Sequence, residues 1–249
     1  MHREYEMSDI VSQVSSSISG LRQEFDVIAH NMANVSTVGF KRRCNTFSKS
    51  LMAQDAGTQA ETGDGAELES VLDFTQGGFV ESGRPLDFAL AGKGFFVIET
   101  PEGQLYTRNG GFCLNQNGQV VDAEGRLVAG ESGPITIPPN VALSQVSVSS
   151  EGRISGAGAE IGKFRLADFK ENEKGLFMAG ASCFAAPADV NPEAAVNVVV
   201  KQGYQESSNV HLVEELVDMM MVSRLYEVNM QFVAVKRDTS KSIIDVAMS

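Results

Sequence analysis

Asp9-Ile10-Val11-Ser12-Gln13-Val14-Ser15-Ser16-Ser17-Ile18-Ser19-Gly20-Leu21-Arg22-Gln23-Glu24-Phe25-Asp26-Val27-Ile28-Ala29-His30-Asn31-Met32-Ala33 carries Val11, Val14, Ile18, Leu21, Phe25, Ile28 and Met32 at alternating steps of three and four. Such a repeat is a coiled-coil seam, narrower than the apolar stripe of an ordinary surface helix. Intrinsic propensity runs the other way, because Ser12, Ser15, Ser16, Ser17, Ser19 and Gly20 all oppose helix. The spacing therefore predicts a helix over 9–33, with Ser8 as N-cap and Asp9 favourable in the first turn. Alone it is marginal; it forms when another helix covers its seam.

The opposite end of the chain supplies a counterpart. Residues 205–249 contain neither Gly nor Pro, and Ser208 or Asn209 can cap a helix beginning near Val210. Leu212, Leu216, Met219, Tyr226, Met230, Val233, Ile244 and Ala247 fall on one heptad seam, with Ser223, Arg237 and Ser240 as its polar members. A helix of this length spans about 55 Å, too long to fold back on a small domain without projecting. Met219, Met220 and Met221 read as packing filler.

Between the helices the period changes to two. Phe95 to Glu99, the turn Pro101-Glu102-Gly103, and Gln104 to Arg108 read as strand, turn, strand. Asn115 to Gly118, Ala123 to Gly125 and Ser150 to Gly152 are further turns beside alternating apolar residues. The expected fold is α+β: N- and C-terminal helices paired as a coiled coil, with a mainly antiparallel β domain inserted between them. The expected divisions are an N-terminal assembly helix over 1–40, a connector over 41–75, the β domain over 76–190, a return connector over 191–208 and a C-terminal assembly helix over 209–249.

Composition narrows the function. The formal net charge is −12, and residues 51–75 hold Asp55, Glu61, Asp64, Glu67, Glu69 and Asp73 with no Lys or Arg. An acidic chain without a basic face is no partner for nucleic acid. No apolar run approaches the roughly 18 residues of a membrane span, and the polar, serine-rich start does not read as a cleaved signal peptide. Cys44, Cys113 and Cys183 lie too far apart for a CxxC pair and read as thiols. The three histidines, His2, His30 and His211, make no HExxH, and no Ser sits in GxSxG. Gly92-Lys93-Gly94 lacks the third glycine of a dinucleotide loop and precedes a strand. Asp87 and Glu99 read as surface carboxylates rather than a glycosidase pair. Neither an enzyme nor a cofactor or metal site is expected, and a structural subunit is favoured over a periplasmic enzyme or a clamp-like adaptor.

Three stretches resemble one family. Asp26-Val27-Ile28-Ala29-His30-Asn31-Met32-Ala33-Asn34-Val35-Ser36-Thr37-Val38-Gly39-Phe40-Lys41-Arg42 resembles the N-terminal signature of bacterial flagellar rod and hook proteins, with mild departures at His30 and Met32. Gly83 to Phe96, followed by Tyr106-Thr107-Arg108-Asn109-Gly110, resembles the second signature. Gly203-Tyr204-Gln205-Glu206-Ser207-Ser208-Asn209-Val210, then Glu214 to Val217 and Arg224 to Glu227, resembles the third. The likeness covers nearly the whole chain from Met7, which it marks as the expected start. The short length and the stretches Gly133 to Pro138 and Ser150 to Ile154 look most like the proximal rod member; Gly203 to Val210 also resembles the distal one.

The resemblance implies a subunit exported by the flagellar type III apparatus without signal cleavage, located in the basal-body rod that crosses the periplasm. It would polymerise with itself and with other rod and hook proteins in a helical array and transmit torque for swimming. A seam helix that stays disordered until neighbours bury it suits such export. The implied assembly residues are Val14, Ile18, Leu21, Phe25, Ile28, Asn31, Met32, Asn34, Gly39 and Phe40 at one end, and Leu212, Leu216, Met219, Tyr226, Met230 and Val233 at the other. Asn31 and Asn34 would tie their amides to backbone near the helix end, either as simple C-caps or across subunits. Gly39 would supply a positive φ, and Phe40 would anchor the connector.

Overall fold

The computed structural model describes residues 2–45, 70–180 and 182–247, with side chains over 14–44, 71–170, 172–180 and 182–235. Most of the expected connector over 41–75 thus lies outside the described residues, as do the side chains of Val11, Arg237, Ser240, Ile244 and Ala247. The chain divides into two compact units.

One unit holds Met1–Ala33, Arg43–Val71 and His211–Ser249. Its helices are α1, His2–Ala33, and α2, Leu212–Ala247. Helix α1 begins well before the expected Ser8 cap, because residues 2–8 lack Gly and Pro and include the helix formers Arg3, Glu4, Glu6 and Met7. Helix α2 begins two residues later than the expected Val210, with Glu214 and Glu215 in its first turn, where the helix dipole favours carboxylates. Its first backbone bond runs from the Glu215 N–H to the His211 carbonyl. The start of α2 meets the end of α1 at Asn31 and Glu215, while Val222 clusters with Leu21 and Ile28; the helices therefore run antiparallel. Strand Arg43–Asn45 pairs with Ser70–Leu72. Among the described residues no helix is long and apolar enough to cross a membrane.

The other unit holds Asn34–Arg42 and Leu72–Val210. Its strand pairings are antiparallel. Phe95–Thr100 and Gly103–Thr107 form a hairpin in the register Thr100↔Gly103, closed by Pro101 and Glu102. Phe95–Thr100 also pairs with Leu127–Gly130 and Leu166–Asp168, which makes it the centre of the largest sheet. Its alternation explains its burial on both faces. Phe96 and Ile98 join one core with Phe88, Phe112, Phe164 and Val200. Phe95 and Val97 join a second with Tyr106, Phe169 and Phe184. Rings meet edge to face, Phe96 with Phe112 at 5.2 Å and Phe88 with Phe164 at 5.0 Å, the arrangement the ring quadrupole prefers.

The stretch 191–208, expected as a return connector, carries strands Glu193–Ala194, Val199–Gln202 and Tyr204–Glu206. Val199–Gln202 pairs with Asp87–Ala91, and Tyr204–Glu206 with Phe79–Glu81. Their partners lie over a hundred residues away, so local pattern gives little warning of them.

Candidate functional site

In the helical unit, Leu21, Ile28 and Val222 form a buried cluster with Met32 and Met219 packed against it. The face turned inward includes the seam members Leu21, Ile28 and Met32 of α1 and Met219 of α2, and in α2 it centres beside the seam, on Glu215 and Val222. In α1 the buried positions are Leu21, Val27, Ile28 and Asn31, with Glu24 and Met32 half-buried; in α2 they are Glu215 and Val222, with Met219 half-buried. Val14 and Ile18 are half-buried. Phe25 is 40% exposed, and Leu212, Leu216, Tyr226, Met230 and Val233 are exposed to a similar degree. The sequence seams share Leu21, Ile28, Met32 and Met219 with the intrachain contact. Phe25, Leu212, Leu216, Tyr226, Met230 and Val233 form an exposed apolar stripe beside it, continued by Val213, Val217 and Met220. An apolar surface of that extent marks an interaction face.

Asn31 sits where α1, strand Arg43–Asn45 and α2 meet. Its Oδ1 accepts from the Arg43 N–H at 2.9 Å, and its Nδ2 donates to the Arg43 carbonyl at 2.9 Å. The same Nδ2 lies 3.3 Å from both carboxylate oxygens of Glu215. Asn31 is thus not a simple cap of its own helix, since it grips backbone beyond the helix end. Burial, then the charge of Arg43, holds the nearby His30 imidazole below its ordinary pKa.

In the β unit, Asn34 closes a turn: its carbonyl accepts from the Thr37 N–H at 3.1 Å, and its Oδ1 accepts from the Thr37 hydroxyl at 3.1 Å. Gly39 has φ +68°, and a Cβ there would stand 2.4 Å from the Asn109 backbone nitrogen. Only glycine fits both the conformation and the gap. Phe40 is buried.

Beyond Phe40 lies a charge cluster that the sequence reading missed. Lys41 Nζ donates to Glu206 Oε1 at 2.7 Å and to the Thr75 carbonyl at 2.7 Å, and both charged side chains are fully buried. Arg108 reaches Glu206 Oε2 at 3.4 Å and the Leu90 carbonyl at 3.3 Å, with its guanidinium 5.2 Å from the Phe95 ring centroid. The Gly77 N–H donates to Glu206 Oε1 at 3.1 Å. Asn209, expected as a possible helix cap, instead accepts from the Arg42 N–H at 2.7 Å and donates to the Asp73 carbonyl at 2.8 Å. Burial pulls both the Lys41 ammonium and the Arg108 guanidinium below their ordinary pKa values, and Glu206 opposes it in each case. A carboxylate closed off from solvent between two cations has no access for a substrate; it ties chain segments together. The available signal was that each of the three signature stretches contains one of these charges: Lys41, Arg108 and Glu206.

The chain matches two family descriptions, the flagellar hook protein FlgE/F/G D1 domain over residues 89–156 and the flagellar basal body rod FlgEFG protein C-terminal region over 201–246. It is 33% identical to a flagellar basal-body rod protein FlgG of Buchnera aphidicola subsp. Schizaphis graminum, over 82% of this chain and 86% of the relative. It is 31% identical to the FlgF of Caulobacter vibrioides, over 83% and 84% of the two chains. It is 29% identical to the FlgF of Mesorhizobium japonicum, over 95% of each. This chain belongs to the flagellar basal-body rod protein family, whose members are structural proteins and not enzymes.

Proposed function

We propose that the chain is an axial subunit of the flagellar basal-body rod, at the proximal position, exported by the type III apparatus and polymerised through α1 and α2. The carrying observation is the uncovered apolar stripe of Phe25, Leu212, Leu216, Tyr226, Met230 and Val233, a surface suited to the helices of neighbouring subunits. Helix α2 exposes large apolar residues around much of its circumference, a pattern that calls for burial on several sides. Each neighbour in a helical array would cover one of those sides. The rod so built would carry torque for swimming. Asn34, Gly39 and Phe40 would shape the turn that follows α1 in the chain.

Proximal placement draws on the match to a FlgF over 95% of each chain. A distal position is the second reading, and the 33% identity to a FlgG favours it. Deleting the gene in its motile host and imaging basal bodies by electron microscopy tests both. A basal body without a complete rod, with motility lost, is the expected result, and the length of any stub separates proximal from distal. Complete rods and normal swimming would overturn the proposal.

A further inference from the structure

We propose that Met220, Met221 and Met230 make the exposed face of α2 an oxidation-sensitive switch: peroxide converts their thioethers to sulfoxides, and the face can then no longer be buried by a neighbouring subunit. The inference rests on the proposed assembly role of α2. Among the methionines with described side chains, Met220 is 55% exposed, Met221 53% and Met230 45%, and all three lie on α2. Met32 and Met219 are half-buried against Leu21, Ile28 and Val222, and Met178 is half-buried against the second core of the β unit. Consecutive positions on a helix point about 100° apart. Met219 turns toward α1, so Met220 and Met221 open to two other sides, and a neighbour on either side meets a thioether. The thioether suits such a contact while reduced, because a flexible, polarizable side chain fills irregular apolar gaps. On oxidation the sulfur attacks one oxygen of hydrogen peroxide. An S–O bond forms, the O–O bond breaks, sulfur loses two electrons, and the other oxygen leaves as water. The sulfoxide oxygen is an acceptor that water satisfies on the free subunit; closed into an apolar contact it would lose that partner. Burial in the array would also remove the sulfurs from the oxidant, so the switch acts on unassembled chains and not on a finished rod.

The test has one arm on the purified full chain and one in the motile host. The chain is treated with hydrogen peroxide and then with a thiol reductant, which returns oxidised cysteines but not sulfoxides, and each methionine is followed by peptide mass spectrometry. Met220, Met221 and Met230 are expected to oxidise about fivefold faster than Met178 or more, since reaction needs access to the sulfur; equal rates overturn the proposal. In a strain lacking the gene, the parent gene is compared with two triple variants. Met220→Leu, Met221→Leu and Met230→Leu together remove the sulfurs and keep the face apolar. Met220→Gln, Met221→Gln and Met230→Gln together imitate the polarity of the sulfoxide. Leucine and glutamine are both good helix formers, so polarity is what separates the two. The leucine triple is expected to build complete rods like the parent, and the glutamine triple to lower the fraction of basal bodies with complete rods by about tenfold. After a sublethal peroxide pulse, the number of new complete rods should fall with the parent gene and not with the leucine triple. Equal assembly by the glutamine triple and the parent overturns the proposal. So does an equal peroxide effect on the parent and the leucine triple, or a leucine triple as defective as the glutamine one. Complete rods in the strain without the gene would remove the proposed function; complete rods that need the gene, yet form with the glutamine triple, would remove the switch alone.

Discussion

Lys41, Arg108 and Glu206 come from three separate parts of the sequence and share one buried carboxylate. Removing that carboxylate leaves two buried cations facing each other, whereas removing Lys41 leaves Glu206 still paired with Arg108. Glu206→Leu is therefore expected to destabilise the β unit by about 3–5 kcal/mol and Lys41→Met by less. The double variant should cost less than the sum of the two, since the partners it removes depend on each other. Denaturant unfolding of all four proteins checks this; additive costs would mean that the cluster is not a unit. His30 gives a pH dependence. Its folded pKa is depressed by burial and then by Arg43, so on acidification the unfolded chain takes up the proton first. Its contribution is complete above its ordinary value, near 6.5, and is lost as pH falls from there through the folded value. The thermal midpoint of the helical signal should drop on going from pH 7 to 5, and His30→Gln should make the drop shallower.

At the scale of elements, one glycine and two helix faces decide the outcome. Gly39 combines a positive φ with an approach to the Asn109 backbone that leaves no room for a Cβ. Gly39→Ala should cost about 2 kcal/mol or more, from strain and overpacking together. An unchanged melting temperature would show that the turn can relax. On the helices, a charge on the uncovered stripe should act on assembly and not on folding. Phe25→Glu or Met230→Glu is expected to abolish polymerisation and swimming while the β-unit circular dichroism stays native. Loss of the β signal would contradict the independence of the two units. Asn34→Ala removes one bond from the turn after α1 and should weaken rod assembly, scored as the fraction of basal bodies with complete rods.

For the whole molecule, the two units draw on different kinds of information. Heptad spacing at both ends, and short apolar runs bounded by turn signals around Phe95–Thr100, were enough to indicate two helices around an antiparallel β domain, because such patterns are local properties of a chain. The signature stretches pointed to the family for a similar reason: Asn31, Gly39 and Phe40 stand in one short motif. Several things depended on the tertiary structure. The strands Val199–Gln202 and Tyr204–Glu206 exist through partners over a hundred residues away. The inward face of α2 centres on Glu215 and Val222, beside its seam, with Glu215 buried against Asn31 of α1, a choice that apolar spacing alone does not encode. The burial of Lys41, Arg108 and Glu206 depends on partners from distant segments, and Asn209, expected as a possible cap, instead holds Arg42 and Asp73. The sequence determined which elements form and which residues are apolar enough to need covering. Tertiary structure decided which of those residues the chain covers itself and which charges it buries, because pairing energies between distant segments depend on contacts that no local window contains.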